Sequence, residues 1–465
     1  MDHPATPATS HDANGHDRAS CYGPTPADPI DLETLIKRER AALQRRRERL
    51  GTAGSREGGD GLFGIALSGG GIRSATVSLG FLEVLNRAGI FRSADYLSTV
   101  SGGGYLGGYV QAALRYHGET SQDPYSGLFS PAVQDQLMAG RHYLAPGSGL
   151  AGRFRLLCFL AAIVTSLALN LIWMVALLVF IGASVNLVWC HVPDGVGGAL
   201  WSALASTTIA VLTWHFAGHR LRPALWSASV LNRLEAILLG AAALLATRPL
   251  ASWAEAFPAW MGGQLSRALP TALVPRFLSQ IPHTIAPWAM VGASLLAFVV
   301  VGFLANPNLL TVHVFYRSRL TKAYLAIVSS RAKHLRLKDL ASADGWTFGP
   351  YPLINGCVNL LRDPRLAGDR ASDHFLFSPL YCGSRLTGYR PTAKGAYAAI
   401  DLATAITASG AAVNPSMGTM TNSALALLLS ILNLRLGYWA RHRQDARWWP
   451  TFWPWYLLGE AIQRS

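Results

Sequence analysis

Ser101 is followed by Gly102, Gly103 and Gly104, and one strand–helix unit earlier stands Ser68-Gly69-Gly70-Gly71-Ile72-Arg73-Ser74. A serine in a tight turn between a strand and a helix presents its hydroxyl at the helix N-terminus, where it can attack a carbonyl. Gly102 and Gly103 relieve the crowding of such a nucleophile elbow. Gly69, Gly70 and Gly71 offer successive N–H groups with no side chains in the way, suited to a developing oxyanion. Such donors are worth ~3 kcal/mol each in a transition state. Arg73 adds a fixed positive charge at the mouth or packs to hold the loop. The usual elbow has glycine two residues before the serine; here that residue is Thr99.

The elements that must position these residues follow from apolar patterning. Residues 64–68 (GIALS) predict a buried strand, and 75–88 a helix with Val77, Leu79, Leu82, Val84 and Leu85 apolar. Residues 95–100 (DYLSTV) predict a second strand and 105–115 a second helix. A strand–turn–helix–strand–turn–helix unit of this size implies parallel pairing with a right-handed crossover, so both turns open at the same sheet edge. A dinucleotide site would want an acidic residue closing the second strand, where Ser101 stands instead. The Gly-Lys-Ser/Thr triplet of a phosphate loop does not occur. Acyl transfer is the chemistry left.

The run ALSGGGIRSATVSLGFLEVL, followed by DYLSTVSGGGYLGG, resembles the patatin-like phospholipases, and in particular their membrane-inserted bacterial members. Residues 405–417 (AITASGAAVNPSM), 308–325 and 375–389 (FLFSPLYCGSRLTGY) extend the resemblance. It implies an α/β fold with a three-layer, parallel-sheet hydrolase core and a Ser–Asp dyad that needs no histidine or cofactor. By position it makes Ser101 the nucleophile and Gly69, Gly70, Gly71 and Arg73 the oxyanion loop. The family's aspartate sits in an Asp-Gly-Gly or Asp-Gly-Ala motif after the alanine-rich segment. After Met417 this chain has only Asp445, in RQDAR, and its Asp-Gly pairs fall at Asp60, Asp194 and Asp344, out of order. Asp344 is the nearest substitute; the alternative is that the aspartate lies beyond Ser465, in a longer or split protein. The resemblance therefore implies a lipid acyl hydrolase, with a catalytically inactive membrane scaffold or regulatory protein as the second reading.

Composition agrees with a lipid setting. Apolar residues make up 51% of the chain and charged ones 14%, which points to a membrane protein. The net charge of +14 is mostly arginine beside apolar segments, with no nucleic-acid motif, so anionic lipid headgroups are the expected partner rather than nucleic acid. The five cysteines form no CxxC pair and the thirteen histidines no HExxH, so neither a disulfide framework nor a metal site is expected.

Four regions follow. Residues 1–30 are polar and Pro-rich and predict disorder without a secretory signal. Residues 31–150 carry a strongly basic helix (32–50), a glycine-rich linker (51–61) and the two turns. That helix is either solvated and packed on the domain edge or a membrane-surface contact. Residues 151–306 form an insertion: 156–179, 199–217 and 284–305 are uncharged, long enough or nearly so for a hydrocarbon core that takes ~20 residues. Residues 234–250, with Glu235 and Arg248 near the ends, predict a fourth span, a re-entrant or surface helix being the alternative. An even number of crossings keeps Ser101 and the segment after Asn308 on one side. Arg153, Arg155, Arg220, Arg222, Arg233, Arg317, Arg319 and Lys322 place that side in the cytoplasm, against Arg267 and Arg276 opposite. The expected location is the bacterial inner membrane. Uncharged span centres argue against a channel. Residues 307–465 complete the hydrolase portion, with a buried or interfacial helix at 423–436 and a cluster of Trp448, Trp449, Trp453 and Trp455 that is either a headgroup belt or a core patch.

Overall fold

A computed structural model describes residues 29–51, 61–121, 123–140, 150–189, 286–304, 306, 308–309, 311–360, 372–415, 417, 423–439 and 452–454. The chain has an α/β fold built on one mixed six-stranded sheet. In chain order its principal elements are α1 (Leu32–Arg49), β1 (Gly64–Leu67), α2 (Gly71–Arg87), β2 (Tyr96–Val100), α3 (Gly102–Thr120) and α4 (Pro131–Ala139). Then come α5 (Leu150–Trp189), α6 (Ala286–Leu304), α7 (Val312–Leu320), β3 (Tyr351–Asn359), β4 (Ser372–Phe377), β5 (Tyr381–Ser384), β6 (Gly388–Pro391), α8 (Leu402–Ser409) and α9 (Ser423–Ile431).

β1, β2 and β3 are parallel, with Gly64 opposite Tyr96 and Tyr96 opposite Tyr351. The expected strand–helix–strand unit is present. The expected all-parallel sheet is not, because β3 through β6 pair antiparallel in sequence order. Only residues 378–380 join β4 to β5, and 385–387 join β5 to β6. Connections that short reverse the chain in place and cannot carry a crossover. In the first of these turns Ser378 Oγ donates to Tyr381 O (2.7 Å), and Thr392 Oγ1 donates to Ser378 O (2.8 Å).

α3 is the spine of the core. Its first four turns are buried from Gly102 to Leu114, between the parallel strands, α2 and α8. α2 buries Ala75, Ser78, Leu79 and Leu82, one helical face, while Val77, Phe81 and Val84 face outward, Val77 at 74% exposure. α2 thus carries two apolar faces, and only one packs into the core.

α1 is capped by Asp31, which accepts the Thr34 N–H (3.2 Å). Several of its arginines pack on the domain. Arg46 donates to Ala94 O (2.8 Å), Arg92 O (3.1 Å) and the Tyr125 hydroxyl (2.8 Å). Arg47 pairs with Asp95, Arg38 donates to the Tyr381 hydroxyl, and Arg49 stacks over Trp346 at 4.3 Å. Glu39 is buried on the same face, near the Tyr96 and Tyr351 hydroxyls, and burial raises its pKa from 4.5 to about 7. The folded state therefore holds this proton more tightly than the unfolded chain does. Its stabilising effect is full below pH 4.5 and is lost as pH rises to about 7. Glu39→Gln is expected to flatten the stability profile over that window by roughly 3 kcal/mol. Urea unfolding at pH 5 and pH 8 checks this; parallel profiles for both proteins refute it.

Among the described residues one helix is long and apolar enough to cross a membrane, the segment Leu156–Ser184 of α5. α6 falls on the expected stretch 284–305, but its apolar run Trp288–Leu304 is shorter. The expected spans 199–217 and 234–250, the N-terminal 1–28 and Trp448, Trp449 and Trp455 lie outside the described residues. α5 packs on α6, with the Trp173 and Phe298 rings 6.4 Å apart, and Phe452 stands edge-on to Phe298 and Phe303. A polar contact ties α5 to the C-terminal region: Asn433 Nδ2 donates to Asn170 Oδ1 (3.2 Å), and Arg435 Nε donates to Asn433 Oδ1 (2.7 Å).

Candidate active site

Because β1 and β2 are parallel and in register, Leu67 opposite Thr99, their C-terminal ends open side by side. β1 runs into Ser68-Gly69-Gly70 and β2 into Ser101. Gly71 and Gly102 are the first residues of α2 and α3. The first N–H groups of a helix have no intrahelical acceptor and carry the positive end of its dipole. Two such ends therefore meet at Ser101, an arrangement suited to negative charge.

The approach is close. A Cβ on Gly102 would lie 2.0 Å from Gly71 O, and one on Gly103 would lie 2.5 Å from Leu67 O. Gly103 N–H donates to Ser68 O (3.2 Å), and the Ser74 hydroxyl donates to the same carbonyl, so the two turns are stitched together. A Cβ on Gly69 would sit 3.4 Å from Ser101 Cβ, which brings this loop against the serine. Gly70 has φ 145° and Gly71 φ 61°. Arg73 is exposed in the first turn of α2 and has no side-chain partner among the described residues.

Ser101 has φ 50° and ψ −119°. Positive φ in a non-glycine residue typically costs about 1–3 kcal/mol and persists only where the surroundings impose it. Thr99 replaces the usual elbow glycine without blocking the turn, because α3 supplies the space. The Thr99 methyl would be 2.7 Å from a Cβ on Gly107. The room that one glycine makes in the strand is made here by a glycine on the helix.

Three residues hold this turn that the sequence did not single out. Ser101 N–H donates to Ser409 Oγ (2.8 Å), and Ser409 Oγ donates to Asn355 O (2.5 Å). Asn355 Nδ2 donates to Ser98 Oγ (2.8 Å) and Thr99 O (3.0 Å), while its Oδ1 accepts from His374 Nε2 (2.8 Å). Ser409 lies in the AITASGAAVNPSM segment, which was a signal of resemblance but not of contact.

Asp344, the nearest substitute for the missing aspartate, lies in the turn between Ser342 and Trp346, just before β3 begins at Tyr351. Tyr351 pairs with Tyr96 at the start of β2. Asp344 therefore precedes the starting end of β3, whereas Ser101 follows the far end of the five-residue β2, a strand about 16 Å long. Asp445 lies outside the described residues. Among the described residues no carboxylate or imidazole is recorded on Ser101 Oγ, and no cluster of three metal-ligating side chains occurs.

The fold places the protein among α/β proteins with a strand–turn–helix serine at the C-terminal edge of parallel strands. Comparison with known proteins narrows this through one short segment. Over 44 residues the chain is 46% identical to the "Putative meiotic phospholipase SPO1" of Saccharomyces cerevisiae. That is 10% of this chain and 7% of the yeast protein, a phospholipase-like relationship confined to that stretch. No family model matches the chain. No solved structure matches it.

Proposed function

We propose that this chain is a membrane-embedded, patatin-like serine lipid acyl hydrolase with Ser101 as its nucleophile. One observation carries the reading: a serine at φ 50° stands where the N-termini of α2 and α3 converge. The short likeness to a yeast phospholipase supports it. The Ser101 hydroxyl oxygen bonds to the carbonyl carbon of a lipid ester while its proton passes to a carboxylate. The oxyanion accepts hydrogen bonds from the N–H groups of the Gly69–Gly71 loop and of Gly102. Collapse breaks the ester C–O bond, and the leaving alcohol takes the proton. Water then hydrolyses the acyl-serine, releasing the fatty acid and restoring the hydroxyl. The carboxylate is that of the Asp-Gly-Gly or Asp-Gly-Ala motif which the resemblance calls for.

Residues 151–306 hold the hydrolase portion at the membrane, on the cytoplasmic side of a bacterial inner membrane, and anionic headgroups meet its arginines. Support comes from Leu156–Ser184 and from the polar contact tying α5 to Asn433, which keeps the domain against the apolar helix. A catalytically inactive scaffold is favoured in its place by one observation, the lack of a carboxylate on Ser101 Oγ among the described residues.

A fluorophosphonate probe applied to the chain in proteoliposomes tests the reading. Labelling is expected to map to Ser101 and to vanish in Ser101→Ala. A chain extended through the next Asp-Gly-Gly motif is expected to release fatty acid from vesicle phospholipid. Labelling unchanged in Ser101→Ala removes the assignment. A folded, extended chain without labelling or release establishes the scaffold.

A further inference from the structure

We infer that Ser409 is the positioning residue of the elbow: its hydroxyl holds the Ser101 backbone N–H and fixes the orientation of the nucleophile. The inference rests on the hydrolase reading for its consequence, but on geometry for its substance. Ser101 has a backbone conformation that an L-residue rarely adopts, so neighbouring groups must impose it. Ser409 ends α8, and its oxygen accepts the Ser101 N–H at 2.8 Å. A hydroxyl has one proton to give, and Ser409 gives its own to Asn355 O at 2.5 Å. The donor direction of the serine is thereby set, and its lone pair is aimed at Ser101.

The other side of the turn is held by the same strand. Asn355 stands opposite Val100 in the parallel pairing of β2 and β3. Its side-chain amide donates to Thr99 O, the last carbonyl before the Val100 peptide. His374 Nε2, the donor to Asn355 Oδ1, fixes which way that amide faces. The peptide groups flanking Val100 are thus gripped from both directions, by a serine on α8 and an asparagine on β3. α8 is itself anchored, since Ile406 packs where Gly108 of α3 leaves room and Asp401 pairs with Arg317 of α7.

One consequence is specific. With its N–H committed to Ser409, Ser101 cannot donate that hydrogen to an oxyanion. The oxyanion donors are then the N–H of Gly102 and those of the glycine loop, both aimed from helix N-termini. Ser409 acts on the rate of attack and not on the affinity for the acyl chain.

The test compares wild type, Ser409→Ala and Ser409→Thr in the full chain in proteoliposomes, by two readouts. Hydrogen exchange at the Ser101 amide is expected to quicken at least ~10-fold in Ser409→Ala and to stay near wild type in Ser409→Thr, which keeps the oxygen. The maximal rate of fluorophosphonate labelling at Ser101 is expected to fall about 10–100-fold in Ser409→Ala, with the half-saturating probe concentration unchanged and the rate restored in Ser409→Thr. Unaltered exchange and labelling in Ser409→Ala overturn the inference. So does an equal loss in Ser409→Thr, which would make the site intolerant of any change. If wild type is not labelled at Ser101, the hydrolase reading fails, while the exchange readout still decides whether Ser409 holds this amide.

Discussion

Gly102→Ala is expected to destabilise the chain by about 3 kcal/mol or more and to lower fluorophosphonate labelling of Ser101 more than ~100-fold. The added Cβ would lie 2.0 Å from Gly71 O and 2.6 Å from Gly71 N. Both obstacles are backbone at the first residue of α2, so no rotamer change relieves them. Either α2 shifts or the elbow opens, and both separate the two helix ends that meet at Ser101. Overpacking of a yielding core typically costs about 1–3 kcal/mol, and a backbone obstacle sits at or above the top of that range. Gly80→Ala is the matched control. Gly80 is exposed within α2, with nothing within 4 Å of an added Cβ. That substitution should stabilise the helix by roughly 0.5–1 kcal/mol and leave labelling untouched. Chemical unfolding and labelling rates measure both. Equal stability and reactivity in the two variants would remove the claim that convergence of α2 and α3 builds the site.

The parts of this site legible in the sequence are those encoded locally. An apolar run, a glycine turn and a helical spacing are all contained in 64–88 and again in 95–115, so β1, α2, β2 and α3 could be read with their order and direction. Their boundaries moved, since α2 begins at Gly71 and α3 at Gly102. The helices start inside the glycine turns because a helix N-terminus tolerates residues that have no side chain to contribute. What could not be read acts across long separations. Ser409 reaches Ser101 over 308 positions, and Asn355 reaches Thr99 over 256, both through backbone atoms that leave no pattern of residue types. The antiparallel half of the sheet was obscured for another reason. β5 is buried at every position, and β4 is buried at its last three, so neither alternates as a strand exposed on one face would. In α1 the charge was legible and its use was not: Arg38, Arg46, Arg47 and Arg49 contact carbonyls, rings and a carboxylate across long sequence separations.

Asp95→Ala is expected to cost about 3–5 kcal/mol, although Asp95 lies at the sheet edge farthest from Ser101. Its side chain is 1% exposed and accepts two hydrogen bonds from Arg47, at 2.8 and 2.7 Å, and one from Phe63 N–H at 2.8 Å. Its backbone accepts Tyr351 N–H at 2.7 Å, so one residue joins α1 to the starting ends of β1, β2 and β3. Removing the carboxylate takes the Asp95 charge from the Arg47 guanidinium, which is 16% exposed, and the Asp95 oxygen from the Phe63 N–H. Most of the loss is that exposed mismatch and not the intrinsic worth of the pair, because a buried ion pair gains little over apolar groups of the same volume. Arg47→Met combined with Asp95→Ala should therefore be less destabilising than the sum of the single changes, by about 1–3 kcal/mol. Asp95→Asn, which keeps an acceptor for Phe63 but no charge for Arg47, should fall between wild type and Asp95→Ala. Unfolding curves for the four variants decide the matter, and strict additivity would refute it. The acid at the head of β2 anchors the strand at one end, and the strained serine at its other end depends on that strand staying in register.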